Sequence, residues 1–204
     1  MGLSGLALCG FLVSHLLGNL LLIKGSDSFN MYAHALMSNP LILVAEIALS
    51  ALFVGHILMG IFLTILNKKA RPVKYQMKKS TGRGETFASK TMPISGMIIL
   101  IFLITHLCHF KYGAQYLTLI NGTEVRDLYR VVVEYFASPL YTAWYVFAMT
   151  VIGFHTSHGF ASAFQSLGLN HPKYTPIIKK ISCVYGIIIA VGFSTIAVWC
   201  YFQN

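Results

Sequence analysis

The sequence predicts an all-α membrane protein of five transmembrane helices, four of them in one bundle, with two outer amphipathic helices. Three observations carry that prediction. Of 204 residues, 56% are hydrophobic and only 10% charged, against roughly 25% charged in ordinary soluble domains. A chain of this length has too little interior to hide so much apolar surface from water. Nearly uncharged runs at 3–23, 41–66, 92–110, 139–164 and 181–202 each approach the ~20 residues a helix needs to cross hydrocarbon. The cations are unevenly divided between the two sides of such a layout. Lys68, Lys69, Arg71, Lys74, Lys78, Lys79, Arg83 and Lys90 lie between the second and third runs, and Lys173, Lys179 and Lys180 between the fourth and fifth. The other side has Lys24, Lys111, Arg126 and Arg130. Positive residues stay on the cytoplasmic side, which places the N-terminus in the cytoplasm and the C-terminus outside.

The elements follow in order within a single domain, residues 1–204. The first run lacks a basic leading segment and a small-residue cleavage site, so it reads as a span rather than a signal peptide. Ser28 to Ser38 mixes apolar and polar positions at helical spacing and predicts an amphipathic helix lying in the outer interface. Asn39-Pro40 then opens the second span, with Asn as cap and Pro in the first turn. The basic segment 67–91 returns the chain to the third span. Glu124 to Ala137 predicts the second outer amphipathic helix, and Ser138-Pro139 opens the fourth span. The net charge of +9 comes without a basic stripe interleaved with aromatics, so nucleic acid is not an expected partner. Cys9, Cys108, Cys183 and Cys200 have no CxxC or CxxCH spacing. They read as buried small hydrophobes, not as disulfides or covalent haem anchors.

The layout of span, amphipathic helix, proline and span occurs twice, and it selects four histidines. His15 is followed by Leu16, Pro40 opens the next span, and His56 stands sixteen residues beyond it. His106 is followed by Leu107, Pro139 opens the next span, and His155 again stands sixteen residues on. Gly60 and Gly159 follow each downstream histidine by four residues. Matched spacing of this kind points to two pseudo-equivalent halves. A single intramembrane histidine can serve as a helix–helix hydrogen-bond partner. Four at repeated positions on four helices point to function instead. Imidazole pairs suit haem iron, and two axial histidines leave no open position, so such a haem carries electrons.

Depth pairs them. At ~1.5 Å per residue, His15 and His106 fall roughly 6–12 Å below the outer ends of their spans. His56 and His155 fall about 22–24 Å below theirs. The reading is an outer haem on His15 and His106, and an inner haem on His56 and His155, with the irons at least ~10 Å apart along the membrane normal. The fifth span has no histidine and is expected outside the four-helix bundle.

Glu46 is the carboxylate that falls inside a span, at about the depth of the outer haem. A buried carboxylate there is a natural proton acceptor for a quinol, or else a structural hydrogen-bond partner. His109 and His158 each stand one turn from a ligand and so share a similar face. They are candidates to touch a haem propionate or a quinone. Ser89, Lys90 and Gln165, on the inner side, are candidate donors to propionates of the inner haem. His34 and His171 fall outside the spans and read as surface residues.

Several stretches together resemble a known family. They are HLLGNLL around His15, EIALSALFVGHILMGI around His56, NKKARPVKY, TFASKTMPISG, ITHLCHF around His106, and HTSHGFASAFQSLGLN from His155 onward. In this order they look like the di-haem cytochrome b membrane-anchor subunit of succinate dehydrogenase and fumarate reductase, of the b558 type. The resemblance covers nearly the whole chain. It implies two b haems, a bacterial cytoplasmic membrane, and electron exchange with a quinone, typically menaquinone. It implies a flavoprotein subunit, which binds the dicarboxylate, and an iron–sulfur subunit, both docked on the cytoplasmic face at loops 67–91 and 165–180. The residues alone leave two other readings open: the bis-histidine anchor of a hydrogenase or formate dehydrogenase, and a transporter whose histidines relay protons.

Overall fold

The described residues form seven α-helices and a small hairpin. The computed structural model describes residues 1–70 and 87–203; Arg71, Lys74, Lys78, Lys79 and Arg83 of the basic loop lie outside these. Helix α1 (Gly2–Asn19) tightens at its end into a 3-10 turn, Leu20–Lys24. It is followed by α2 (Ser26–Met37), α3 (Ile42–Lys69) and α4 (Phe87–His106), and α4 widens into a π-helical turn at Leu107–Lys111. Strands β1 (Leu117–Ile120) and β2 (Thr123–Arg126) precede α5 (Leu128–Phe136), α6 (Pro139–Ser166) and α7 (Thr175–Tyr201).

Four helical segments among the described residues are long and apolar enough to cross a membrane, and α6 makes a fifth when counted with α5 across their 99° bend. Helix α6 is the more polar because it is the most buried. Tyr145, Ala148, Met149, Ile152, Thr156 and Ala163 all face protein. Its hydroxyls are satisfied locally, Thr156 donating to the Ile152 carbonyl at 2.8 Å and Thr142 to the Phe136 carbonyl at 2.9 Å. Helix α3 is the opposite case, 28 residues with none buried among them. An apolar helix so exposed is stable only in an apolar solvent.

Helices α6 and α7 approach backbone to backbone. A methyl group built on Gly153 would stand 2.7 Å from the Gly186 carbonyl oxygen, so neither position has room for a side chain. One turn nearer the start of α7, the 1% exposed Ser182 donates to the Ser157 carbonyl and accepts from Ala161 N at 3.2 Å. Helix α7 also lies on α1, where the Tyr185 hydroxyl donates to the Cys9 carbonyl at 2.8 Å. The last helix is therefore wedged against the bundle on two sides rather than set apart from it.

The short elements α2, the hairpin and α5 gather at one end, called here the cap end. Helix α2 occupies the predicted place. The second amphipathic helix does not begin at Glu124 as expected, because Thr123–Arg126 pairs antiparallel with Leu117–Ile120. The turn between them, Asn121-Gly122, has φ of 51° and 81°, the left-handed pair that a two-residue hairpin needs and that Asn-Gly adopts readily. Asp127 then caps α5 by accepting from Arg130 N at 3.1 Å, and α5 turns sharply into α6. Ser138 caps α6 as expected, accepting from Tyr141 N at 3.4 Å, with Pro139 as first residue. At the earlier junction Asn39 accepts from Leu41 N at 2.9 Å and shapes a turn, so α3 begins two residues after Pro40. Cys9 and Cys200 are buried as expected. Cys108 and Cys183 are exposed on apolar helices, which corrects their expected burial.

Candidate functional site

Helices α1, α3, α4 and α6 bring the four repeated histidines to two levels of the bundle. At the upper level, toward the cap end, the His15 and His106 rings face each other edge to face. Their centroids are 5.8 Å apart and their planes at 83°. Each ring rests on the phenylalanine one turn before it, Phe11 at 5.2 Å from His15 and Phe102 at 5.5 Å from His106. The residue just before each histidine folds back the same way. Ser14 donates to the Phe11 carbonyl and Thr105 to the Phe102 carbonyl, both at 2.9 Å. FLVSHL and FLITHL are therefore one structural unit used twice. Phe193 of α7 completes the surround at 5.7 Å from His15.

At the lower level His56 and His155 are half-buried. The Ser4 hydroxyl stands 3.2 Å from His56 Nδ1, and the Ser95 hydroxyl 2.9 Å from His155 Nδ1. Ser4 precedes His15 by eleven residues on α1, and Ser95 precedes His106 by eleven on α4. The two levels are thus separated by about 16 Å along either helix.

A hydrogen-bonded chain leads outward from the upper pair. His106 Nδ1 lies 3.3 Å from the Tyr145 hydroxyl, which accepts from the Tyr141 hydroxyl at 3.2 Å. Tyr141 in turn stands 2.8 Å from His109 Nδ1. His109 is stacked on Tyr135 of α5, with centroids 4.4 Å apart. Tyr112 N bonds the Leu107 carbonyl at 3.0 Å, five residues back, closing the π-helical turn that holds His109. His106 and His109 both turn toward the Tyr141–Tyr145 side of α6.

Glu46 is not buried. Its carboxylate pairs with Lys111, and the two side chains are 42% and 40% exposed. The sequence could not give its direction around α3. His158 Nε2 stands 3.2 Å from the Ser162 hydroxyl on its own helix. Ser89, Lys90 and Gln165 are exposed near the end opposite the cap, at the start of α4 and the end of α6. His34 contacts Ser38, and the Nδ1 of His171 accepts from Lys173 N at 3.2 Å, as befits surface residues.

No group of three or more His, Cys, Asp or Glu is gathered among the described residues. What the bundle offers is imidazoles in twos. Against that geometry, the comparison with curated proteins is decisive: the chain is 27% identical over 186 residues to the succinate dehydrogenase cytochrome b558 subunit of Bacillus subtilis (strain 168). The b558 resemblance holds. The similarity takes in 90% of this chain and 83% of the b558 subunit. No family model and no solved structure matches the chain.

Proposed function

We propose that this chain is the cytochrome b membrane anchor of a succinate dehydrogenase or fumarate reductase, holding two b haems and reacting with a membrane quinone. The observation that carries the reading is the facing pair His15–His106 on two helices, repeated in layout by His56 and His155. The donor set suits the group. A porphyrin supplies four nitrogens of its own, so two imidazoles would complete the iron, and the four rings are half-buried. His15 and His106 would hold the outer haem, and His56 and His155 the inner one. Haem iron with both axial positions filled supplies one-electron transfer and no oxygen chemistry.

The remaining residues have supporting tasks. Ser89, Lys90 and Gln165 are donors at the membrane edge for the inner haem's carboxylates. Quinol oxidation releases two protons and two electrons, so its site needs a proton acceptor near the outer histidines. Glu46, held by Lys111, is that acceptor, and His109 is its neighbour on the quinone side. The quinone is menaquinone, following the family resemblance. The lipid bilayer is that of a bacterial cytoplasmic membrane, with the N-terminus inside and the C-terminus outside. The end opposite the cap, with its basic loops, receives the iron–sulfur and flavoprotein subunits on the cytoplasmic face.

The test is purification of the assembled complex, a reduced-minus-oxidised spectrum, and identification of copurifying chains. Two low-spin b haems with flavin and iron–sulfur partners are expected. A haem-free chain overturns the cytochrome reading, and haem with hydrogenase or formate dehydrogenase partners moves it to another quinone-linked complex.

A further inference from the structure

The mid-bundle histidines have matched partners on neighbouring helices. Ser4 Oγ donates its single proton to the Met1 carbonyl at 3.0 Å, and Ser95 Oγ donates to the Met92 carbonyl at 3.0 Å. A serine hydroxyl has one proton and two lone pairs. With the proton committed to the carbonyl three residues back, the oxygen can only accept from the histidine that approaches it. That arrangement gives the ring hydrogen to Nδ1, the nitrogen facing the serine at both positions, with His56 Nδ1 3.2 Å from Ser4 Oγ and His155 Nδ1 2.9 Å from Ser95 Oγ. The other nitrogen, Nε2, is left with its lone pair free to bind.

The glycine after each serine lies beside the same ring. A methyl group built on Gly5 would lie 3.5 Å from His56 Cε1, and one on Gly96 3.8 Å from His155 Cε1, so each ring lies against a bare stretch of backbone. The unit is Ser-Gly, nine residues, then the upper-level histidine. It occurs as Ser4-Gly5 before His15 and as Ser95-Gly96 before His106. Each of these two helices thus carries one upper-level imidazole and, three turns earlier, the hydroxyl that orients a lower-level imidazole of its neighbour.

We infer that Ser4 and Ser95 are positioning residues for the inner haem, fixing the tautomer and ring plane of His56 and His155 through Nδ1–H···Oγ hydrogen bonds. The inference rests on the ligation proposed above. A histidine that donates its second N–H to an acceptor is a more basic ligand, and a more basic axial ligand favours the oxidised iron. Losing the acceptor therefore raises the midpoint potential of the inner haem and leaves the outer one unchanged.

The experiment is potentiometric titration of the assembled complex carrying Ser4→Ala, Ser95→Ala or both, with haem content measured by pyridine haemochrome and axial-ligand geometry by electron paramagnetic resonance. Both haems are expected to remain. The inner haem's potential shifts upward in each single variant and further in the double variant, with a changed low-spin signal for that haem alone. Ser4→Thr and Ser95→Thr keep a hydroxyl at the same position and should return the potential toward that of the unaltered protein. Two haems with unmoved potentials in the alanine variants would overturn the inference while leaving the ligation intact. Equal shifts in both haems, or a threonine variant no different from alanine, would also overturn it, since a general loosening of the helices has no preference for one haem or for a hydroxyl. An unaltered complex lacking a second haem would instead remove the ligation on which the inference rests.

Discussion

The Asn30 side chain, 1% exposed, donates to Asp127 Oδ1 at 2.8 Å, joining α2 to the cap of α5 across 97 positions of sequence. Its own carbonyl oxygen accepts from Tyr129 N at 2.8 Å. One buried amide therefore satisfies both the capping residue and a backbone donor in the first turn of α5. It ties together the elements that close the bundle above His15 and His106.

Replacing Asn30 with alanine strands the Tyr129 N–H and removes a partner from Asp127. A buried donor left unsatisfied costs about 1–3 kcal/mol. Amide exchange in the first turn of α5 should accelerate, while the haem spectrum of the complex stays as it was. Unchanged protection at Tyr129 and Arg130 would show that the amide does not hold the cap.

The histidines should fall into two classes. His15→Ala and His106→Ala each lose the outer haem and keep the inner one; His56→Ala and His155→Ala do the reverse. His158→Ala keeps both, because that ring contacts Ser162 of its own helix. Haem content and the split of the α-band absorption read the outcome directly. Any of the four ligand variants that retains two low-spin haems defeats the assignment.

Glu46 and Lys111 make a prediction about turnover. Glu46→Gln should preserve both haems and the assembled complex yet reduce quinone-linked turnover roughly a hundredfold, the scale of a lost proton acceptor. Electron transfer from succinate to an artificial acceptor at the flavoprotein should be unaffected. Retained quinone turnover would make the pair a structural tie between α3 and the end of α4.

Sidedness is open to labelling. A tag in the 67–91 segment should be reached only from the cytoplasm, and one after Tyr201 only from outside. The reversed pattern would exchange which haem lies nearer the iron–sulfur partner and move the docking face to the cap.

Periodicity and charge exposed most of the architecture. Every apolar run became a helix, because in hydrocarbon the backbone must satisfy its own hydrogen bonds. The four histidines stood out because duplication repeats spacing. Direction around a helix axis was less accessible. Glu46 is part-exposed and pairs with Lys111, and Cys108 and Cys183 face the surface, since nearly uniform apolar runs have no polar stripe to mark their inner side. The hairpin was signalled by Asn121-Gly122 and passed over in favour of helical spacing from Glu124. The π-helical turn that holds His109 was not legible, because a single widened turn leaves no mark on hydrophobic periodicity. The Ser-Gly pairs were visible in the sequence as well, but only their contacts with His56 and His155 give them meaning.

The pairing of the histidines also bears on how such a protein is made. His15 comes from the first helix and its partner from the fourth; His56 comes from the third, and the lower-level histidine beside it from the sixth. Each level takes one imidazole from either half of the chain, so the first half emerging from the ribosome presents single rings with no counterpart. A two-ligand site first exists when α4 has been inserted, and the second only after α6. On the proposed ligation, haem loading would be deferred to late in biogenesis, and the loaded groups would tie to the rest of the bundle a helix α3 that has no buried residue of its own.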